Sequence, residues 1–158
     1  MAFPIKPRRK DLPMLDEMKA LIRAKDVCVL ATVSGGEPHC SLMSYVTDDD
    51  CREFFMMTQR GTKKFRNLLR NEAVSLLIDT REEDTGHKRA EVRALTVGGT
   101  FQEIDDPEKE AFYRAKLLAR HPHLKAFASS GDTQVFRVNV TTLQLLVGIS
   151  QSYFEKII

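Results

Sequence analysis

Apolar positions along the chain change period several times, and each change marks an element. Leu15, Met18, Leu21 and Ile22 recur at helical spacing, which predicts an amphipathic helix over Met14–Ala24. Beyond Asp26, Val27-Cys28-Val29-Leu30-Ala31-Thr32-Val33 is β-rich and apolar on both faces, as an interior strand would be. Ser34-Gly35-Gly36-Glu37 has the composition of a hairpin turn. A second strand runs from His39 to Thr47, with Cys40, Leu42 and Val46 on one face and His39, Ser41, Met43 and Tyr45 on the other. Asp48-Asp49-Asp50 reads as an acidic turn, and Glu53 to Thr58 as a third strand. Phe65, Leu68 and Leu69 then stand at i, i+3 and i+4, so a helix follows Gly61-Thr62. Val74 to Asp79 is a fourth strand, and Arg81 to Lys88 a charged loop with little reason to pack.

The two remaining strands are long, and the alternation slips phase in each. Val92 and Ala94 are apolar on even positions, then Leu95 and Val97 on odd ones, in a strand expected over 90–104. Phe136, Val138 and Val140 are even, then Leu143 and Leu145 odd. Such slips are what bulges produce, and long bulged strands let a sheet curl into a barrel. Between them lies a helical insertion over 106–129, opened by Asp105-Asp106-Pro107, interrupted at His121-Pro122 and ended by Gly131. About six strands joined mostly by short turns, without βαβ alternation, favour a mainly β, antiparallel barrel with flanking helices. The chain divides into a helix over 14–24, a barrel over 26–147 and a C-terminal tail over 148–158.

At 158 residues, 42% hydrophobic and 29% charged, the composition is that of one globular domain, not a disordered chain or a disulfide scaffold. No apolar run is long enough to span a membrane. Residues 1–10 carry charges without an apolar segment behind them, and are not read as a secretory signal. Cys28, Cys40 and Cys51 are odd in number and unpaired by spacing, so they are expected to be buried small hydrophobes in a reduced, cytoplasmic compartment.

Charge changes the picture through its distribution. Between Gln59 and Asn71 stand five basic residues (Arg60, Lys63, Lys64, Arg66, Arg70) and no acid, and the remaining 19 basic residues face 22 acidic ones. With Thr62 as N-cap, Lys63 and Lys64 fall in the first helical turn, where the dipole favours acids. Two lysines placed against that preference make sense when an anion sits there, the alternative being a solvated basic face on a surface helix. A phosphate would collect backbone N–H groups, the Thr58 or Thr62 hydroxyl and both ammonium heads, and Gly61 would allow close approach. Neither a Walker loop nor a Gly-x-Gly-x-x-Gly fingerprint is present.

The stretch Thr58-x-x-Gly61-Thr62-Lys63-Lys64-x-x-Asn67-Leu68, together with Leu30-Ala31-Thr32-Val33, Gly36-Glu37-Pro38-His39 and Gly99-Thr100-Phe101, resembles the FMN-binding split-barrel proteins related to pyridoxamine 5′-phosphate oxidase. The similarity runs over most of 15–147. It implies a six-stranded antiparallel split β-barrel that forms a homodimer, with FMN in the groove between subunits. It also implies that Thr58, Thr62, Lys63 and Lys64 hold the FMN phosphate, that the strand His39, Cys40, Ser41, Leu42 and Met43 lines the flavin ring, and that Asn67 is structural. Arg93 and Gln102 are not assigned a role.

This chain departs from the oxidase in two places. It has only His39 where the oxidase carries an arginine-rich strand, and it ends Ser150-Gln151-Ser152-Tyr153-Phe154-Glu155-Lys156-Ile157-Ile158, without the arginine-containing tail that grips the phosphorylated substrate. The expectation is therefore an FMN-binding flavoprotein, an oxidoreductase of unassigned substrate, with no catalytic residue named, no metal site, and no nucleic acid or membrane as partner. The alternative is a non-enzymatic flavin carrier or a haem-binding split barrel, whose axial ligand would come from His39, His87, His121 or His123.

Overall fold

Each stretch of alternating residues becomes a strand, and every strand pair is antiparallel. The computed structural model describes residues 14–158, so the charged stretch 1–10 lies outside the described residues. The elements are α1 (Met14–Ala24), β1 (Val27–Ser34), β2 (Glu37–Ser44), β3 (Val46–Thr47), β4 (Glu53–Gln59), α2 (Lys63–Arg70), β5 (Ala73–Asp79), β6 (Arg93–Glu103), α3 (Pro107–Arg120), α4 (Lys125–Ala128), β7 (Thr133–Val147) and β8 (Gln151–Lys156). The sheet runs β2-β1-β5-β6-β7-β4-β3, with β8 added to β7. This is the expected class, a mainly β fold with flanking helices around a curled antiparallel sheet.

Eight strands are present among the described residues, not six. One extra strand arises because the segment expected as a single strand from His39 to Thr47 bends at Tyr45. Before the bend it pairs with β1, after it with β4, so one strand reaches both ends of the sheet and brings the sheet round on itself. Tyr45 is fully buried, with its polar groups satisfied: its N–H donates to the Asp26 carbonyl (3.0 Å), its hydroxyl to the Ile22 carbonyl (2.6 Å), and its carbonyl accepts from His121 Nε2 (3.0 Å). The other extra strand is β8, which replaces the expected C-terminal tail. β7 outruns β4 after residue 139, and β8 takes the vacated edge over Thr142–Val147.

Only one of the two expected phase slips is present. In β7 the inward residues pass from Phe136, Val138 and Val140 to Leu143 and Leu145, and the ladder against β6 shifts between Gly98 and Gly99, leaving Thr141 unmatched. β6 keeps one phase through Leu95, Val97 and Phe101. Val92 precedes it, after a 3-10 turn over Gly86–Glu91, so the strand starts later than the expected 90. The crossing requires glycine: a Cβ on Gly99 would stand 2.6 Å from the Asn139 carbonyl oxygen and 2.7 Å from Val138 Cγ1.

The barrel interior is filled by Leu30, Phe54, Met56, Leu76, Leu95 and Phe136, closed by Met18 and Ile22 of α1. A second cluster lies outside, where Leu117 of α3 covers Val46, Phe55, Met57 and Val135. β4 is thus buried on both faces, which accounts for its unbroken apolar run. The α3 start is as expected, with Asp106 Oδ1 accepting from the Glu108 N–H (2.9 Å) and Pro107 in the first turn. The charged loop after β5 is pinned, contrary to expectation. The buried Thr80 hydroxyl donates to Asp84 (2.6 Å), and Lys25 pairs with Glu83.

Candidate functional site

β4 delivers the chain to one end of the barrel, and α2 starts there. Thr62 is the N-cap, with extended backbone and its Oγ1 accepting from the Phe65 N–H at 3.2 Å. The N–H groups of Lys63 and Lys64 precede Phe65 in that turn, where an α-helix supplies no acceptor. Thr58, at the end of β4, is buried, and its hydroxyl lies 3.4 Å from that of Thr62. Two hydroxyls, two helix N–H groups and two ammonium groups thus meet at the positive end of the helix dipole.

The two lysines differ. Lys63 is exposed, whereas Lys64 is half-buried, and burial lowers its pKa from the ordinary 10.5. Lys64 has no hydrogen bond or ion pair to any described residue. Of the neighbouring cations, Arg66 donates to the Gly61 carbonyl (2.9 Å) and Arg60 lies 3.9 Å from Glu103. Among the described residues Lys64 therefore carries a partly desolvated positive charge without compensation, an arrangement that favours an anion.

The inward face of α2 differs from its apolar pattern. Phe65 and Leu68 are buried as expected, but Leu69 is 56% exposed and Asn67 is only 5% exposed. Asn67 Nδ2 donates to Thr32 Oγ1 of β1 at 3.2 Å. Thr32 had no role in the sequence reading. Its signal was a threonine in the inward phase of β1, after Cys28 and Leu30.

β2 lies one strand further. His39 stands directly opposite Thr32, Ser41 opposite Leu30 and Met43 opposite Cys28, all on the inward face. Cys40 and Leu42 point the other way and are exposed, Leu42 at 74%. The expected site residues thus form two groups, Thr58, Thr62, Lys63 and Lys64 at the start of α2 and His39, Ser41 and Met43 on β2, joined through Thr32 and Asn67. Cys40 and Leu42 belong to the outer sheet face, with exposed Val27, Leu146 and Phe154. Cys40 corrects the expectation of three buried thiols, since no described residue packs over the outer side of turn-proximal β2. Burial pushes the Cys28 thiol up to about 12.

The interruption of α3 at His121-Pro122 is as expected, but His121 is buried against Tyr45. His87 and His123 are exposed. Two clefts lie apart from the α2 start: one of about 530 Å³ lined by Arg23, Thr47, Asp49, Lys116 and Arg120, and one of about 330 Å³ lined by Leu69, Glu72, Phe101 and Glu103. Among the described residues no helix is long and apolar enough to cross a membrane.

Comparison with known proteins places these features in a family. The family model described as pyridoxamine 5′-phosphate oxidase matches residues 14–146. No curated protein matches the chain significantly. Among solved structures, a haem-binding protein from Mycobacterium smegmatis superposes with a TM-score of 0.79 at 18% identity, over 97% of this chain and 60% of that one. The chain thus spans about three fifths of that protein's length. An FAD-binding protein from Mesorhizobium loti gives 0.68 at 19% identity, over 85% of this chain and 94% of that one. The haem storage protein of Vibrio cholerae gives 0.70 at 20% identity, over 87% and 96%. At these identities the likeness shows a shared fold.

Proposed function

Because the chain belongs to the pyridoxamine 5′-phosphate oxidase family, we propose that it is a flavoprotein that holds FMN by its phosphate at the start of α2. The carrying observation is Lys64, a half-buried ammonium without a partner among the described residues, beside two threonine hydroxyls and two uncapped helix N–H groups. The donor set fits a phosphoryl dianion: the lysines compensate its charge, the N–H groups take its oxygens, and the Thr58 and Thr62 hydroxyls, which here donate to the Gln59 carbonyl (3.5 and 2.9 Å), would turn to it.

β2 lines the ring in this reading. Among the described residues, β2 over Glu37–Ser44 is bonded to β1 on one edge and to no strand on the other, so backbone N–H and C=O groups of that other edge would meet the polar rim of the isoalloxazine. His39, Ser41 and Met43 line the inward side. When bound, the flavin supplies hydride- and electron-accepting chemistry. The protein's part is to anchor the phosphate, orient the ring and set the local field, which requires no dedicated acid or base.

The active unit is a homodimer. The outer face of the sheet exposes Leu42 (74%) and Val27 (41%) on β2 and β1, and Phe154 (62%) and Leu146 (43%) on β8 and β7 beyond β5 and β6, apolar surface suited to a second copy. Pyridoxamine phosphate is not assigned as substrate, because β2 lacks the arginines.

A second reading, haem binding, is favoured by the likeness to the haem proteins. It needs an axial histidine. His121 is committed to the Tyr45 carbonyl, and His87 and His123 are exposed, so His39 is the candidate. The absorption spectrum of purified protein separates the readings. Flavin bands with roughly one FMN per subunit support the first. A Soret band abolished by His39→Ala, with no flavin retained, supports the second.

A further inference from the structure

α2 is eight residues long and packs on the barrel through only three side chains buried in full, Phe65, Asn67 and Leu68. Two of them are apolar. Apolar contact is non-directional, so Phe65 and Leu68 hold the helix down without fixing its rotation about its own axis. Asn67 is different. Its hydrogen bond to Thr32 Oγ1 (3.2 Å) is directional, and it is the side-chain hydrogen bond that ties α2 to β1 among the described residues. The helical pattern would accept a leucine at this position, and burying an amide instead is costly unless the bond it makes is needed.

Lys64 stands three residues before Asn67, hence one turn away on the same side of the helix. We infer that Asn67 is the positioning residue of the phosphate anchor: bonded to Thr32, it fixes the rotation of α2 on β1 and thereby the place of the Lys64 ammonium. The inference rests on the reading of this corner as a phosphate site. Its leverage is geometric. An extended lysine carries its ammonium roughly 8 Å from the helix axis, so a 15° turn of α2 displaces it by about 2 Å. A charge-assisted hydrogen bond of about 2.8 Å does not survive that displacement. The same bond reaches the other half of the site, because Thr32 faces His39 across the β1–β2 ladder. Phosphate anchor and ring-lining strand are thus registered through one polar pair.

The test compares FMN with riboflavin, which lacks only the phosphate, on the full-length protein freed of flavin. In Asn67→Leu/Thr32→Val the polar pair becomes an apolar pair of similar shape, a change that is nearly neutral for folding because neither partner is left unsatisfied. Wild type is expected to prefer FMN to riboflavin by tenfold or more. In the double variant that preference falls at least fivefold while riboflavin affinity changes less than threefold, and Thr32→Ser, which keeps the hydroxyl, retains the wild-type preference. Should the double variant fail to fold, Thr32→Val alone carries the comparison. A folded variant whose preference stays within twofold of wild type overturns the inference, as does a parallel loss of riboflavin affinity, which would mark the pair as general scaffolding. A wild-type protein without preference for the phosphorylated flavin overturns the underlying reading instead, and the inference with it.

Discussion

In Lys64→Ala the ammonium half-buried at the start of α2 is removed, together with the cost of burying it. Without ligand that ammonium has no partner among the described residues and burial lowers its pKa, so the flavin-free protein loses nothing it depended on. Its unfolding free energy is expected to stay within about 0.5 kcal/mol of wild type or to rise. With FMN bound, one charge-assisted hydrogen bond disappears while Lys63, the helix N–H groups and the threonine hydroxyls remain. Such a bond contributes about 1.5–3 kcal/mol, so the FMN dissociation constant should rise roughly tenfold to 150-fold. Lys63→Ala, at an exposed position, should cost no more than about 1 kcal/mol. The pH dependence follows from the same burial. The lowered pKa means that the unfolded chain holds this proton more tightly, so wild-type stability rises with pH between the lowered pKa and 10.5, and Lys64→Ala lacks that increment. Flavin fluorescence titration gives the affinity and urea unfolding the stability. A change in FMN affinity below twofold, or a flavin-free variant destabilised by more than about 1 kcal/mol, would refute the reasoning.

Leu42→Asp places a carboxylate on the exposed apolar sheet face; sedimentation should show monomer and the flavin should dissociate, whereas a dimer that keeps its flavin would contradict the shared groove. Cys40 lies on that same face, so it should react slowly with a thiol reagent in the dimer and quickly in Leu42→Asp, while Cys28, with its pKa pushed up to about 12, stays inert in both. Gly99→Ala should destabilise by about 1–3 kcal/mol in urea unfolding, because its Cβ meets the Asn139 carbonyl at 2.6 Å; a change below about 0.5 kcal/mol would mean that the bulge can relax. Tyr45→Phe loses the buried hydroxyl bond to Ile22 (2.6 Å) and leaves that carbonyl without this donor, for an expected cost of about 1–2 kcal/mol.

Local pattern carried much of the fold. The Thr62 cap, the Asp106 cap with Pro107, the bulge in β7 and the break at His121 each depend on residues adjacent in sequence, and each is where the spacing put it. Apart from the β6 start, displaced by the 3-10 turn before it, the misreadings are tertiary. Tyr45 bends a strand because Ile22 and Asp26, around the end of α1, and His121, after α3, hold it from two distant segments. The tail becomes β8 because β7 outruns β4 and leaves an edge over Thr142–Val147, and Leu69 is exposed because Asn67 takes the inward place through Thr32. At the site, the spacing of Thr58, Thr62, Lys63 and Lys64 was legible because one strand end and one helix start contain all four. The unequal burial of the two lysines was not, since it depends on how α2 lies against β1.

A crystal structure of the protein with FMN tests the central claim most directly. The phosphorus is expected within hydrogen-bonding reach of Lys64 Nζ and of the N–H groups at the start of α2, with the ring running along β2 toward a second copy of the chain. A flavin or haem seated in another part of the molecule, with Lys64 still without a partner, would contradict the account.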